Sequence, residues 1–122
     1  YFILFADLKD KVLNNKIIKK LKKHSSKEKY LLSSVKSNHQ KFEEKRYWRG
    51  PVWINCNWII YQGVKNKNIK FAKQIKRKTI NLVKQKGFNE YFSCKTGKGF
   101  GATNFSWTAA LFLDLILENK ND

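Results

Sequence analysis

Among the nine acidic residues of this 122-residue chain, Glu90 is set apart by its neighbours: Phe88 precedes it, and Tyr91 and Phe92 follow. Aromatic surroundings strip water from a carboxylate, disfavour its charged form and so fit it for taking and giving protons. The competing reading is a loop or helix-end carboxylate paired with one of the 26 Lys and Arg side chains. A second group is Arg46-Tyr47-Trp48-Arg49-Gly50-Pro51-Val52-Trp53, which gathers three large aromatics, two of the three arginines and the only proline into eight residues. Clustered aromatics usually end in a core. Placed with arginines in a loop ahead of a helix, they also describe a sugar subsite, where flat rings stack on the apolar side of a pyranose and polar groups fix its hydroxyls. A third group, Thr96-Gly97-Lys98-Gly99-Phe100-Gly101, exposes backbone N–H groups that could meet an anion. It lacks the Gly-x-x-x-x-Gly-Lys-Ser/Thr spacing of a phosphate loop, and no strand is expected ahead of it. Its glycines fit a backbone passing close to a ligand or to another loop. Cys56 and Cys94 are too few for a disulfide framework and have no zinc-type spacing, and His24 and His39 stand alone in polar segments. No metal site is expected.

These groups need elements to position them. Apolar residues at Phe2, Phe5, Leu8, Val12, Leu13, Ile17 and Leu21 recur close to the helical period, which predicts one amphipathic helix from Phe2 to about Lys23. Residues 30–45 show no sustained period and read as an irregular connection, with a short strand expected around Leu31–Val35. Pro51 suits a first helical turn, and the run from Val52 to Val64 is apolar nearly all round, as in a helix buried on most sides. A third helix is expected from about Asn68 to Lys86, with Ile69, Ala72, Ile75, Thr79, Leu82 and Val83 on one stripe and Gly87 as its cap. A glycine-bearing loop over 93–104 leads into a last helix from about Ser106 to Leu117. The fold class expected is all-α, built from paired helices.

Composition bounds the rest. At 42 % hydrophobic and 15 % aromatic the chain is globular rather than disordered, and its length suits one domain. The net charge of +17 invites a nucleic-acid reading, but it is carried by 23 lysines against 3 arginines, and Arg is the preferred residue for bidentate phosphate and base contacts. The lysines also alternate with apolar residues instead of forming one block. A solvated Lys-rich surface is therefore expected, with no nucleic-acid partner. No apolar run approaches the roughly 20 residues needed to span a bilayer, and the apolar start lacks the basic region of a signal peptide, so no membrane association and a cytoplasmic location are expected. With no Met in the chain, the abrupt opening Tyr1-Phe2-Ile3-Leu4-Phe5 reads as a cut edge.

Several of these segments together resemble a known family. Tyr47-Trp48-Arg49-Gly50-Pro51-Val52-Trp53, then Asn55, Asn57-Trp58 and Tyr61, then Glu90-Tyr91-Phe92, Thr96-Gly97-Lys98-Gly99 and Phe105-Ser106-Trp107-Thr108-Ala109-Ala110, resemble the C-terminal part of glycoside hydrolase family 63. Within it the likeness is to mannosylglycerate and glucosylglycerate hydrolases, and it is dense from Arg46 to about Leu115. The resemblance implies an (α/α)6 barrel, of which residues 1–122 would be the C-terminal segment of one catalytic domain. It implies hydrolysis with inversion by an Asp general acid and a Glu general base, with no cofactor. Glu90 matches the base. Tyr47, Trp48 and Trp53 match aromatic positions of the sugar and glycerate subsites, and Asn104 falls where the family often has a polar substrate contact such as Gln. The acid lies upstream in the family, and neither Asp7 nor Asp10 has its Trp- and Gly-bearing surroundings. The expected partner is a small anionic glycoside or an α-linked saccharide. Within the family the alternative is an α-glucosidase acting on oligosaccharides; outside it, a basic nucleic-acid-binding module.

Overall fold

The structure, a computed structural model, describes residues 2–6 and 9–118. A 3₁₀ turn at Phe2–Leu4 is followed by helices α1 (Lys11–Ser25), α2 (Ile54–Val64), α3 (Ile69–Lys86) and α4 (Ser106–Leu117), with a two-stranded hairpin of β1 (Tyr91–Phe92) and β2 (Gly99–Phe100) between the last two helices. The chain is mostly helical, but the hairpin departs from the all-α expectation. Two-residue strands leave too little alternation to register as a period.

The single N-terminal helix expected from Phe2 is divided. The Asp10 carboxylate accepts a hydrogen bond from the Leu13 N–H at 2.9 Å, capping α1 where the first turn would otherwise leave its donors unpaired. Phe2–Leu4 form a separate turn against α2, and Leu8 lies outside the described residues. This approach requires Gly63, since a Cβ there would collide with the backbone of Leu4 and Phe5.

The second helix starts later than expected. Pro51 and Val52 are extended: the Val52 N–H donates to the Phe92 carbonyl at 2.8 Å, and the Phe92 N–H returns to the Val52 carbonyl at 2.9 Å. Ser33 bridges the other side of Val52, so the strand expected around Leu31–Val35 reduces to this one bridge. α3 agrees with its expected span, capped by Asn68, whose side chain accepts from the Phe71 N–H at 3.1 Å, and ended by Gly87. α4 also agrees, from Ser106 to Leu117.

α2, the helix apolar on most sides, packs against α3, α4 and the N-terminal turn. One core gathers Leu21 of α1, Ile60 and Val64 of α2, Phe71 and Ile75 of α3 and Leu115 of α4. A second, formed by Val52, Ile54, Leu82, Val83, Phe92 and Cys94, lies beneath the hairpin. Ion pairing ties helix ends together: Lys65 Nζ, at the end of α2, lies 2.8 Å from Glu118, just past α4. No helix among the described residues is long and apolar enough to cross a membrane.

Candidate active site

The extended pairing of Val52 with Phe92 determines where the aromatics go. In an antiparallel pair, neighbours along each strand point to opposite faces. Val52 and Phe92 face the second core, fully buried. Trp53 and Tyr91 therefore project together on the other side, where their rings stack at 5.0 Å between centroids and 25° between planes. Trp48 stacks on Trp53 at 4.2 Å and 18°, and Tyr91 meets Phe100 of the opposing strand at 6.0 Å. The result is a ladder of rings running across the hairpin. Trp53 within it is only 2 % exposed, whereas Trp48 at its end is 50 % exposed.

Tyr47 stands against this ladder, edge-on to Trp53 at 4.7 Å, Trp48 at 5.4 Å and Tyr91 at 5.5 Å. Its carbonyl accepts the Trp53 indole N–H at 2.8 Å. The segment that carries Tyr47 and Trp48 is closed at its base by the Glu43 N–H donating to the Arg49 carbonyl at 2.8 Å. The guanidinium groups of Arg49 and Arg46 lie 3.1 and 3.2 Å from the Glu43 carboxylate, and hydrogen bonding, from Arg49 above all, holds its carboxyl below the usual range.

Glu90 lies one residue before β1, half-buried. One carboxylate oxygen, Oε1, accepts the Tyr47 hydroxyl at 2.7 Å; the other, Oε2, accepts the Ala102 N–H at 3.0 Å. Its own N–H donates to the Ala102 carbonyl at 2.9 Å, so side chain and backbone meet the same residue. Gly101, at φ +71°, makes this possible: a Cβ there would collide with the Glu90 carboxylate. Hydrogen bonding to Glu90 pushes the Tyr47 phenol above its ordinary range, because ionising it would set two anions side by side. Phe88, expected beside the carboxylate, packs instead edge-on to Phe112 at 5.6 Å.

The structure thus brings Glu90, Tyr47, Trp48 and Trp53 into one cluster. Asn104 is exposed on the same loop, two residues beyond Ala102, with a left-handed backbone at φ +53°, and it takes no part in the ring or hydrogen-bond contacts of that cluster. Sequence reasoning missed Ala102, because a backbone N–H donor leaves no side-chain signature. It also misjudged His24, which is buried in a network of its own. His24 Nε2 lies 3.2 Å from Glu28 and 3.1 Å from the Ser33 hydroxyl, and the Ser33 N–H donates to Glu28 at 2.9 Å. Burial pushes the Glu28 carboxyl up, but hydrogen bonds from His24 and Ser33 outweigh it and hold the group below its ordinary range. The network secures the segment that flanks Pro51 and Val52, whose Pro51 carbonyl accepts the Ser34 N–H at 2.9 Å.

Other chemistries fit poorly. Burial pushes the Cys56 and Cys94 thiols up to about 11, so neither supplies a thiolate near neutral pH. Among the described residues no group of three His, Cys, Asp or Glu side chains could hold a metal ion. The other described acids are engaged elsewhere: Asp10 caps α1, Glu28 and Glu43 have the partners given above, Glu44 accepts the Ser93 hydroxyl, Asp114 accepts the Trp58 indole at 2.6 Å, and Glu118 pairs with Lys65.

The cluster thus sets a half-buried carboxylate, held by two donors, in the same group of residues as a half-exposed tryptophan. The family model described as the mannosylglycerate hydrolase MGH1-like glycoside hydrolase domain matches residues 1–108. The chain belongs to this family. A mannosylglycerate hydrolase of Thermus thermophilus is 44 % identical over 88 residues, covering 71 % of this chain and 21 % of that protein. A glucosylglycerate hydrolase of Mycolicibacterium hassiacum is 29 % identical over 85 residues, covering 69 % of this chain and 19 % of its own length. The crystal structure of a family 63 mannosylglycerate hydrolase from Thermus thermophilus, in complex with Tris and D-glycerate, superposes with a TM-score of 0.83 at 37 % identity. That match covers 91 % of this chain and 28 % of the enzyme. The chain of this family member therefore spans about a fifth of these two curated relatives and under a third of the solved one.

Proposed function

We propose that this chain is the C-terminal segment of an (α/α)6 barrel in an inverting glycoside hydrolase, cleaving glucosylglycerate or mannosylglycerate to the sugar and glycerate. The observation that carries the reading is the Glu90 carboxylate, bound on one oxygen by Tyr47 and on the other by Ala102, at the edge of the aromatic ladder. In this reaction Glu90 is the general base. It takes a proton from a water that attacks the anomeric carbon, while an acid on the opposite side protonates the departing glycerate oxygen. In an inverting site the two carboxyl groups stand roughly 6.5–9.5 Å apart to leave room for that water.

Trp48 is the sugar platform, half-exposed and backed by Trp53, which contributes through the rings it supports rather than through its own surface. Asn104 contacts a substrate hydroxyl from the loop that also delivers Ala102. The general acid belongs to an upstream segment. Asp10 is committed to capping α1, and Asp7 lies outside the described residues. The apolar side chains that α4 leaves exposed, Trp107, Leu113 and Leu117, support an incomplete barrel, since an apolar helix face of this kind is ordinarily covered.

The test compares this chain with a longer one carrying the upstream segment, both assayed on glucosylglycerate and mannosylglycerate. The longer protein is expected to hydrolyse at least one of them, and this chain alone neither. Turnover of neither substrate by the longer protein refutes the assignment.

A further inference from the structure

We infer that Tyr47 is a positioning residue for the base, holding the Glu90 carboxylate in the orientation in which it meets the attacking water, an inference that rests on the role proposed for Glu90. A carboxylate on a glutamate turns easily about its last side-chain bond, so one donor alone leaves its plane loosely defined. Here two donors, one on each oxygen, define that plane. The Ala102 N–H is fixed by the backbone pairing of Ala102 with Glu90. The Tyr47 hydroxyl must be fixed by other means, and the structure supplies them at both ends of the residue. Its carbonyl is bound by the Trp53 indole, and its ring is wedged edge-on against Trp53, Trp48 and Tyr91. A phenol that is 46 % exposed would otherwise have other rotamers available to it.

The chemistry of the contact suits the role. A hydroxyl donating to an anion forms a charge-assisted bond, stronger than one between neutral groups. The phenol keeps its own proton throughout. The proton taken up in the reaction comes from water and goes to a free lone pair of Glu90, so the Tyr47 O–H bond neither forms nor breaks. Tyr47 thereby differs in kind from Trp48, whose contribution is to binding.

The test is Tyr47→Phe, which removes the hydroxyl and keeps the ring, with retention of the near-ultraviolet circular dichroism of the aromatic ladder as the check on packing. Two measurements follow. In this chain, the Tyr47 phenol followed by carbon-13 titration should ionise above the ordinary tyrosine range and move down towards it in Glu90→Gln. In the longer, acid-bearing protein, Tyr47→Phe should lower kcat by roughly 10- to 100-fold with KM little changed. Trp48→Ala should instead act mainly on KM. An unchanged kcat in Tyr47→Phe, or a loss that falls on KM instead, overturns the inference, as does a Tyr47 titration indifferent to Glu90→Gln. Failure of the longer wild-type protein to hydrolyse either glycoside overturns the catalytic role and is recorded separately from the titration, which judges the contact by itself.

Discussion

At the scale of single residues, the site depends on a glycine as much as on its acid. Gly101 holds a left-handed backbone that L residues adopt at a cost, and its α-carbon faces the Glu90 carboxylate with no room for a methyl group. Gly101→Ala is therefore expected to lose about 1–2 kcal/mol of stability from backbone conformation alone. It should also push Glu90 from the Ala102 N–H. Urea unfolding measures the first effect, and the Ala102 amide proton shift reports the second. A variant with wild-type stability and an unmoved amide would show that the turn has slack. Glu90 itself was legible in the sequence from its aromatic neighbours, but for a partly mistaken reason. Tyr91 and Phe92 do lie beside it in the chain, yet what holds the carboxylate is a hydroxyl 43 residues away and a backbone amide 12 residues on. Neither leaves a local trace.

At the scale of elements, helices with a clear apolar stripe and a cap could be read closely. α3 begins after Asn68 and ends at Gly87, as its stripe and caps require. α4, with neither a narrow stripe nor a side-chain cap, was legible instead from the glycine-bearing loop before it and the polar tail after it, and runs from Ser106 to Leu117. Reading failed where tertiary pairing overrode local preference. Pro51 and Val52 would suit a helix start, but Val52 pairs with Phe92 and with Ser33, and this extended pairing displaces the first turn. The same pairing creates the aromatic ladder, so the element that sequence misjudged is the one that builds the site. Its support includes the buried His24, Glu28 and Ser33 network. A carboxyl held below its ordinary value stabilises the fold fully above that ordinary value, and the contribution is lost as pH falls through the lowered one. Urea unfolding followed from neutral to acid pH should accordingly show stability falling below the ordinary carboxylate range of about 4–4.5. In Glu28→Gln that part of the acid dependence should shrink, with a loss of about 1–3 kcal/mol at neutral pH from the disturbed buried hydrogen bonds. An acid dependence identical in both proteins would place its source elsewhere.

For the whole molecule, charge and apolar exposure point to different surfaces. Apart from the buried Lys76, the lysines of α1 and α3 lie on amphipathic helices away from their apolar stripes, which is the solvated surface that the Lys-to-Arg skew suggests. α2 and α4 are apolar nearly all round, and α4 leaves Trp107, Leu113 and Leu117 open. In the barrel proposed above, neighbouring helices would cover such faces. The chain alone is expected to self-associate through that face, and Leu113→Glu with Leu117→Glu should reduce the association, as measured by sedimentation. Self-association unaffected by the pair would place the contact elsewhere.

The measurement that bears most directly on the central role of Glu90 is azide rescue of Glu90→Ala in the longer, acid-bearing protein. Loss of the base should cut hydrolysis by roughly 10²- to 10⁴-fold, and azide, entering where the activated water stood, should restore turnover. The product expected is a glycosyl azide of configuration opposite to that of the substrate. Hydrolysis undiminished in the variant, or an azide product that retains the substrate's configuration, would contradict the account.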